Sequence, residues 1–361
     1  MLKTGRTEDL VAAADPVPRD PDAAMTSPSH HAEGPPLVVG LGEALLRFTG
    51  RDHLPLEYAS QLDIDVGGAE LNALIAMAQL GYRCRFVSRL PRSSLGRIVL
   101  AHARRHLVDA CVDWDDDGRV GLYFVENGVP PRPTRVVYDR NDSAAARMRP
   151  GTFKWPELLV GASALYSTGI TCALGRDVEE ALVEGMHTAA ACGARRYFDV
   201  NYRRQLWSQE GATASLKRVL PLVDVLFASR HDLSLIIGEG SEDLDEPRLA
   251  DGVQQKYQLP LVVVRSVQEV AVSTVEVNLS AYAEGTVATA SARAVVLDAF
   301  GAGDVAAAAF VTAHLAGSGL TDAAQRAASA SAYMYTIPGD TWLLPSAEVD
   351  PSGLLTGRIV R

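Results

Sequence analysis

Apolar and polar positions fall in blocks along this chain, and their period separates strands from helices. Leu37-Val38-Val39-Gly40-Leu41 is a short continuous apolar run, the pattern of a buried strand. Gly67-Gly68 then opens a helical stretch with apolar positions at Leu71, Leu74, Ile75 and Ala78, and Gly81 stands where a C′ glycine would end it. Residues 85–88 read as a strand and 94–106 as a helix. Residues 120–125 and 135–139 are β-rich and joined by the turn-rich Asn127-Gly128-Val129-Pro130-Pro131, which predicts an antiparallel pair outside the main alternation. From Leu165 the pattern repeats strand, helix, strand: 165–167, a helix over 177–191, then 196–200, 223–227 and 261–264. Strands spaced by helix-length patterns imply a parallel sheet covered on both faces. The pattern turns β-rich again over 270–296, and a last helix is expected over about 321–335. No internal repeat is visible.

Residues before Leu37 are different material. They mix Asp, Pro, Ser, Ala and His without periodicity, which predicts a disordered tail over 1–36. The tail lacks the apolar core of a secretory signal, and His30-His31 within it reads as an inert pair. The remainder, 37–361, reads as one α/β sandwich with a small β lid made by early insertions at about 44–66 and 118–142.

Composition narrows the function classes. The 361 residues are 47% hydrophobic and 22% charged, enough for a sizeable core. A net charge of −10, from 34 basic and 44 acidic residues, argues against nucleic acid or an anionic membrane as the main partner. No apolar run approaches the roughly 20 residues needed to span a bilayer. Cys84, Cys111, Cys172 and Cys192 are scattered without C-x-x-C spacing, so they read as free thiols in a reducing, cytoplasmic compartment.

The segment richest in chemistry is Asp298-Ala299-Phe300-Gly301-Ala302-Gly303-Asp304, leading into a helix of small residues. Two glycines around an alanine let the backbone turn sharply with N–H groups outward. The helix that follows adds unpaired N–H donors and the positive end of its dipole. Such a corner can hold the charge of a transferring phosphoryl group, and Asp304 beside it is placed to take a proton from an attacking hydroxyl. The same local pattern also fits a Gly-rich strand-to-helix turn with an acidic residue in its first turn.

D-x-x-G-A-G-D before a small-residue helix resembles the C-terminal signature of the ribokinase-type (PfkB) carbohydrate kinases. That resemblance implies a ribokinase-like three-layer α/β/α sandwich with a mostly parallel central sheet. It also implies Asp304 as catalytic base and the Gly301, Ala302 and Gly303 backbone as anion hole. Further stations run from about residue 37 to 349. Gly67-Gly68-Ala69-Glu70-Leu71-Asn72 resembles the family's G-G-x-x-x-N element, which implies that Gly67, Gly68 and Asn72 meet sugar hydroxyls. Gly42-Glu43, Leu45-Leu46-Arg47-Phe48, Tyr123, Tyr138 with Arg140, Asp199-Val200-Asn201-Tyr202-Arg203, Pro338-Gly339-Asp340 and Leu344-Pro345-Ser346 are similar to the 2-keto-3-deoxygluconate kinase branch. Arg140 and Arg203 are then candidates to hold a substrate carboxylate through paired hydrogen bonds, with Tyr123 and Tyr138 donating from their phenols and Asn201 nearby.

Two stations depart from the family pattern. Ser229-Arg230-His231-Asp232 stands where such kinases carry N-x-x-E or S-x-x-E, which implies a nucleotide role for Ser229 and a water-mediated metal role for Asp232. After residues 261–264 the family has G-x-x-G lining the nucleotide, whereas this chain reads Arg265-Ser266-Val267-Gln268-Glu269-Val270. Valine resists the positive φ that such a loop uses, so either Arg265 supplies a side-chain contact or nucleotide binding is weak. The resemblance implies ATP and Mg2+ as cofactors and leaves room for a monovalent cation. The expected activity is phosphorylation of 2-keto-3-deoxygluconate or a related sugar acid. The open alternatives are a neutral sugar or nucleoside as acceptor, or an idle sugar sensor of the same fold. An exposed lid edge is compatible with a homodimer.

Overall fold

The structure, a computed structural model, describes residues 34–129 and 131–343. Residues 1–33 of the expected tail, Pro130 and the Leu344-Pro345-Ser346 station lie outside the described residues. In chain order the first half gives β1 (Leu37–Leu41), β2 (Leu45–Gly50), β3 (Leu62–Gly67), α1 (Ala69–Gln79), β4 (Arg83–Pro91), α2 (Ser94–Arg105), β5 (Val108–Asp115), β6 (Gly121–Glu126) and β7 (Arg135–Asp139). Then follow α3 (Trp155–Leu158), β8 (Ala162–Thr168), α4 (Gly169–Cys172), α5 (Arg176–Ala191), β9 (Arg195–Asp199), α6 (Gln209–Val219) and β10 (Val225–Ala228). The chain continues through α7 (Arg230–Ile237), α8 (Glu246–Tyr257), β11 (Leu261–Ala271), β12 (Thr274–Ala283), β13 (Thr286–Val295), α9 (Ala302–Leu315) and α10 (Leu320–Met334).

Among the described residues, nine strands form one sheet in the order β13-β12-β11-β10-β9-β8-β1-β4-β5. All pairs from β11 to β5 are parallel, and β12 and β13 add an antiparallel edge. Every residue of β1 is buried because successive side chains enter opposite cores. Val38 packs with Leu71, Leu74, Val305 and Phe310 on one face. Leu37, Val39 and Leu41 pack with Leu182, Leu216, Leu233 and Leu249 on the other. Three layers follow from that alternation. No helix among the described residues is long and apolar enough to cross a membrane.

A second sheet, β3-β2-β6-β7, is the lid. As expected, β6 and β7 pair antiparallel, with Tyr123 opposite Tyr138. One lid face buries Leu45, Tyr123 and Val125 against Phe300. Across the other face Ile64, Phe48, Phe124 and Val137 stand in one register row. Phe48 and Phe124 stack at 5.2 Å, while Ile64 and Val137 remain 57% and 54% exposed.

The sequence pattern misplaces one boundary that matters. Strand β11 does not end at Val264 but runs on to Ala271, because β12 pairs along its extension, with Arg265 opposite Leu279 and Val267 opposite Val277 and a bulge at Val270. The expected nucleotide loop is therefore strand, and its valines suit the extended backbone that ladder pairing demands.

Helix α1 carries site residues and is seated by Leu74, which is fully buried and packs on β1 at Gly40. Leu74→Ala is expected to destabilise the fold by about 2–5 kcal/mol in urea unfolding. A loss below about 1 kcal/mol would contradict this packing.

Candidate active site

Helix α9 begins at Gly301, whose φ of 71° places it in the left-handed region. A side chain there would also strike the Asp340 carbonyl, so both backbone and space call for glycine. The N–H groups of Ala302, Gly303 and Asp304 form the first turn, where no intrahelical acceptor exists. Gly301 and Gly303 line an open cleft of about 1610 Å³. Ala302 is fully buried and its carbonyl accepts from Ser331 Oγ at 2.9 Å, which steadies the turn from behind.

Asp304 lines the same cleft while only 8% exposed. Its Oδ2 accepts from Asn72 Nδ2 at 2.8 Å, a bond that joins α1 to α9. Burial pushes its carboxyl up to about 7; the Asn72 bond and the Arg203 charge pull it down, and Asp340 and Glu70 push it up. Asn72 is held by its own helix start. Two residues earlier, Glu70 is fully buried and accepts from Thr168 N at 3.1 Å, Thr168 Oγ1 at 2.8 Å and Thr171 Oγ1 at 2.7 Å. Asn72 Oδ1 is left without a partner among the described residues, and Asn72 borders the cleft.

Asp199 faces Asp304 from the end of β9. Burial pushes its carboxyl up to about 8, with Asp232 and Asp304 adding to the rise and Arg203 opposing it. Sequence reasoning quoted Asp199 inside a motif and gave it no role. Asn201, at a positive φ of 40°, and the exposed Arg203 follow it on the cleft wall. Arg203 makes no side-chain hydrogen bond or ion pair with a described residue, so its guanidinium is available to a ligand.

The lid residues are less free than their motif implies. Arg140 is buried and ion-paired with Glu43, whose other oxygen accepts from Ser143 Oγ. The Arg140 charge is thus largely matched inside the protein, and its buried Nε is left without a partner among the described residues. The Tyr123 phenol donates to Asp340 Oδ2 at 2.6 Å. Tyr138 is 41% exposed and stacks on Tyr123 at 5.8 Å, so its hydroxyl is the freer of the two. Gly68 borders the cleft, but Gly67 does not: the space its missing side chain leaves is filled by the Tyr123 hydroxyl and the Asp340 carboxylate. Gly67 is therefore closely packed by the lid and by Asp340.

At the other end, Ser229 caps α7, and its N–H and Oγ both donate to Asp232 Oδ2 at 2.7 Å. Asp232 is thereby a helix-capping carboxylate with one oxygen left over. Among the described residues no three His, Cys, Asp or Glu side chains converge to hold a metal. Arg265 reaches Tyr335 OH at 2.9 Å and Ser331 Oγ at 3.3 Å. Its Nη1 lies 3.7 Å from where a Gly303 side chain would begin, directly beside the turn.

Three buried charges without an assigned role complete the corner. Arg47 on β2 is 2% exposed and ion-paired with both Asp298 and Asp340. The signal for them was present: all three lie in matched motifs at positions where charge is rarely buried unpaired.

A cleft with a buried carboxylate beside a glycine-turned helix start, roofed by a small β sheet, is the arrangement of a phosphotransferase acting on a hydroxyl. The model of the pfkB family of carbohydrate kinases matches residues 36–346, and this chain belongs to that family. It is 33% identical to a 2-dehydro-3-deoxygalactonokinase of Haloferax volcanii, over 87% of this chain and 95% of that protein. It is 31% identical to a 2-dehydro-3-deoxygluconokinase of Thermoproteus tenax, over 86% of this chain and 91% of that one. The crystal structure of a Thermotoga maritima 2-dehydro-3-deoxygluconokinase superimposes with a TM-score of 0.81 at 31% identity, covering 86% and 95% of the two chains. The ribokinase-like fold and an ATP-dependent sugar kinase are thereby shown.

The raised carboxyls carry a cost in stability. An unfolded aspartate titrates near 3.8, whereas native Asp304 and Asp199 titrate near 7 and 8. Between those values the native state keeps protons that the unfolded state has lost, so stability falls as pH rises from about 4 to about 8. Asp199→Asn should flatten that fall and raise Tm at pH 8 by at least about 2 °C. Thermal unfolding across pH measures it; an unchanged slope would contradict the burial of this charge.

Proposed function

We propose that this kinase transfers the ATP γ-phosphoryl group to a hydroxyl of a sugar acid, either 2-keto-3-deoxygluconate or its galactose-series epimer. The observation that carries the reading is the exposed Arg203 guanidinium on the cleft wall: it acts on Asp304 and Asp199 through its charge but makes no hydrogen bond to a described residue, so its planar fork suits a ligand carboxylate. The names of the relatives point to the same substrate class. Asp304 takes the hydroxyl proton as the oxygen attacks phosphorus, and its value near 7 suits a base working near neutrality. The Gly301–Gly303 backbone steadies the charge on the moving phosphoryl group. Gly68, Asn72, Asn201 and Tyr138 face the hydroxyls. Arg140, already matched by Glu43, positions the lid, leaving Arg203 as the principal carboxylate reader.

Arg265 contacts nucleotide phosphate from beside the turn, and Ser229 with the spare oxygen of Asp232 lies on the same side. The negative field shared by Asp199, Asp232 and Asp304 fits a magnesium ion that arrives on ATP phosphates and keeps most of its waters. Bound there, magnesium would neutralise phosphate charge. The apolar row Ile64-Phe48-Phe124-Val137 on the outer lid face fits burial against a second copy, giving a homodimer.

An ATP-consumption screen of sugar acids against neutral sugars tests the substrate class. Turnover of neutral sugars alone would overturn it. Asp304→Asn should lower kcat by roughly 10²–10⁴ with the fold intact by circular dichroism. Arg203→Ala should weaken the acid substrate by about 1.5–3 kcal/mol and a neutral analogue far less; equal losses would assign Arg203 a structural role. Arg265→Ala should raise KM for ATP and leave the sugar KM unchanged, as initial-rate kinetics would show.

A further inference from the structure

The anion-hole turn rests on two buried carboxylates. Asp298 Oδ1 accepts from Phe300 N at 3.2 Å, and its Oδ2 accepts from Gly339 N at 2.9 Å, which folds the turn onto the segment that follows α10. Asp340 brings its backbone carbonyl against Gly301 and its side chain against the Tyr123 hydroxyl. The two residues are 8% and 6% exposed. Two uncompensated negative charges directly under a site that must attract phosphate would repel each other and the ligand. A positive charge has to lie between them.

Arg47 is that charge. Its Nη2 donates to Asp298 Oδ2 at 2.9 Å, its Nη1 donates to Asp340 Oδ1, and its Nε donates to Thr49 Oγ1 at 2.9 Å. Its guanidinium carbon lies 4.4 Å from the centre of the Phe300 ring, and Phe300 is itself part of the turn. Each nitrogen has a partner: a carboxylate at each Nη, a hydroxyl at Nε, and an aromatic ring beside the plane. A monovalent metal ion supporting the turn from this side would need the same two carboxylates and the same volume. The guanidinium and the phenyl ring already occupy both, so the monovalent cation that the sequence resemblance leaves room for does not fit here.

We propose that Arg47 acts as a built-in cation for the anion hole, a positioning residue that holds the Asp298–Gly301 turn in shape and takes the place of a monovalent ion at this corner. Because Arg47 stands on β2, it also bolts the lid to the corner that carries Asp304. The effect on turnover rests on the kinase reading above, but the effect on nucleotide binding does not, so the two can fail separately.

The test compares the wild-type protein, Arg47→Ala and Arg47→Lys in magnesium-containing buffers whose only added monovalent cation is tetramethylammonium, potassium or guanidinium. Magnesium ATP affinity is read by calorimetry and turnover by initial rates. Wild-type affinity and turnover should agree within about twofold between tetramethylammonium and potassium. Arg47→Ala should lower kcat by at least about tenfold, more than it changes the sugar KM. It should also weaken ATP binding, and guanidinium should recover a large part of both losses. Arg47→Lys should stay closer to wild type. Wild-type activation or tighter ATP binding by more than about tenfold on adding potassium would overturn the proposal. So would an Arg47→Ala variant that keeps wild-type kcat and ATP affinity, or one whose losses guanidinium leaves untouched. If Arg47→Ala does not fold, the ion comparison on wild type and Arg47→Lys decides. If wild type turns over no sugar acid, the substrate reading fails and the calorimetric comparison still decides the role of Arg47.

Discussion

Asp304 sits in the first turn of a buried helix, where water is scarce but the helix dipole and free N–H groups favour negative charge. Burial drives its proton affinity up, and the Asn72 bond with the Arg203 charge draws it back. Much of the surrounding structure keeps those opposing influences in proportion. Glu70 and its three donors fix the start of α1, so Asn72 reaches the carboxylate at 2.8 Å. Gly301 lets the helix begin where it does, and Ser331 steadies Ala302 from behind. A carboxylate left at its ordinary acidity would be a poor acceptor for an alcohol proton. One buried without partners would stay protonated.

The cleft divides its tasks unevenly. On the sugar side, Glu43 uses up much of the Arg140 charge and Asp340 uses up the Tyr123 hydroxyl. Internal pairing of this kind orients the lid before any ligand arrives and leaves recognition to fewer, freer groups. Residues 265–269 and 271 pair with β12 instead of forming a glycine loop, and under the proposed function phosphate recognition on the nucleotide side falls to the Arg265 side chain. Recognition by a side-chain charge is more sensitive to ionic strength than recognition by a fixed nest of amides.

The fold was legible where apolar runs were continuous or strictly periodic. Strand β1 matches its expected bounds, and α1, α5 and α10 match theirs to within a residue or two. Strand β3, with Asp63 and Asp65 among its apolar residues, and helices α6 to α8, rich in charge on their outer faces, gave weaker signals and were not singled out. The end of β11 was misplaced because family likeness argued for a loop where Val267 and Val270 argued for strand. In the site, the structure brings Asp304, Asn72, Gly301, Gly303 and Arg203 to one cleft. It moves Gly67 into packing and gives Arg140 and Asp232 internal partners. Arg47, Asp298 and Asp340 stood in matched motifs but received no role, because their pairing joins segments far apart in the chain.

Arg47 and Asp340 stand 293 residues apart, so the ion cluster joins one of the first strands to one of the last described segments. During synthesis Arg47 leaves the ribosome long before either of its carboxylates, and it cannot enter a dry interior alone. The lid strand must therefore wait, solvated, until residues 298 and 340 have been made. A chain broken off before Asp340 would carry Asp304 and the glycine turn yet lack the charge arrangement that shapes them. The catalytic corner can therefore take its final charge arrangement only after residue 340 has been made.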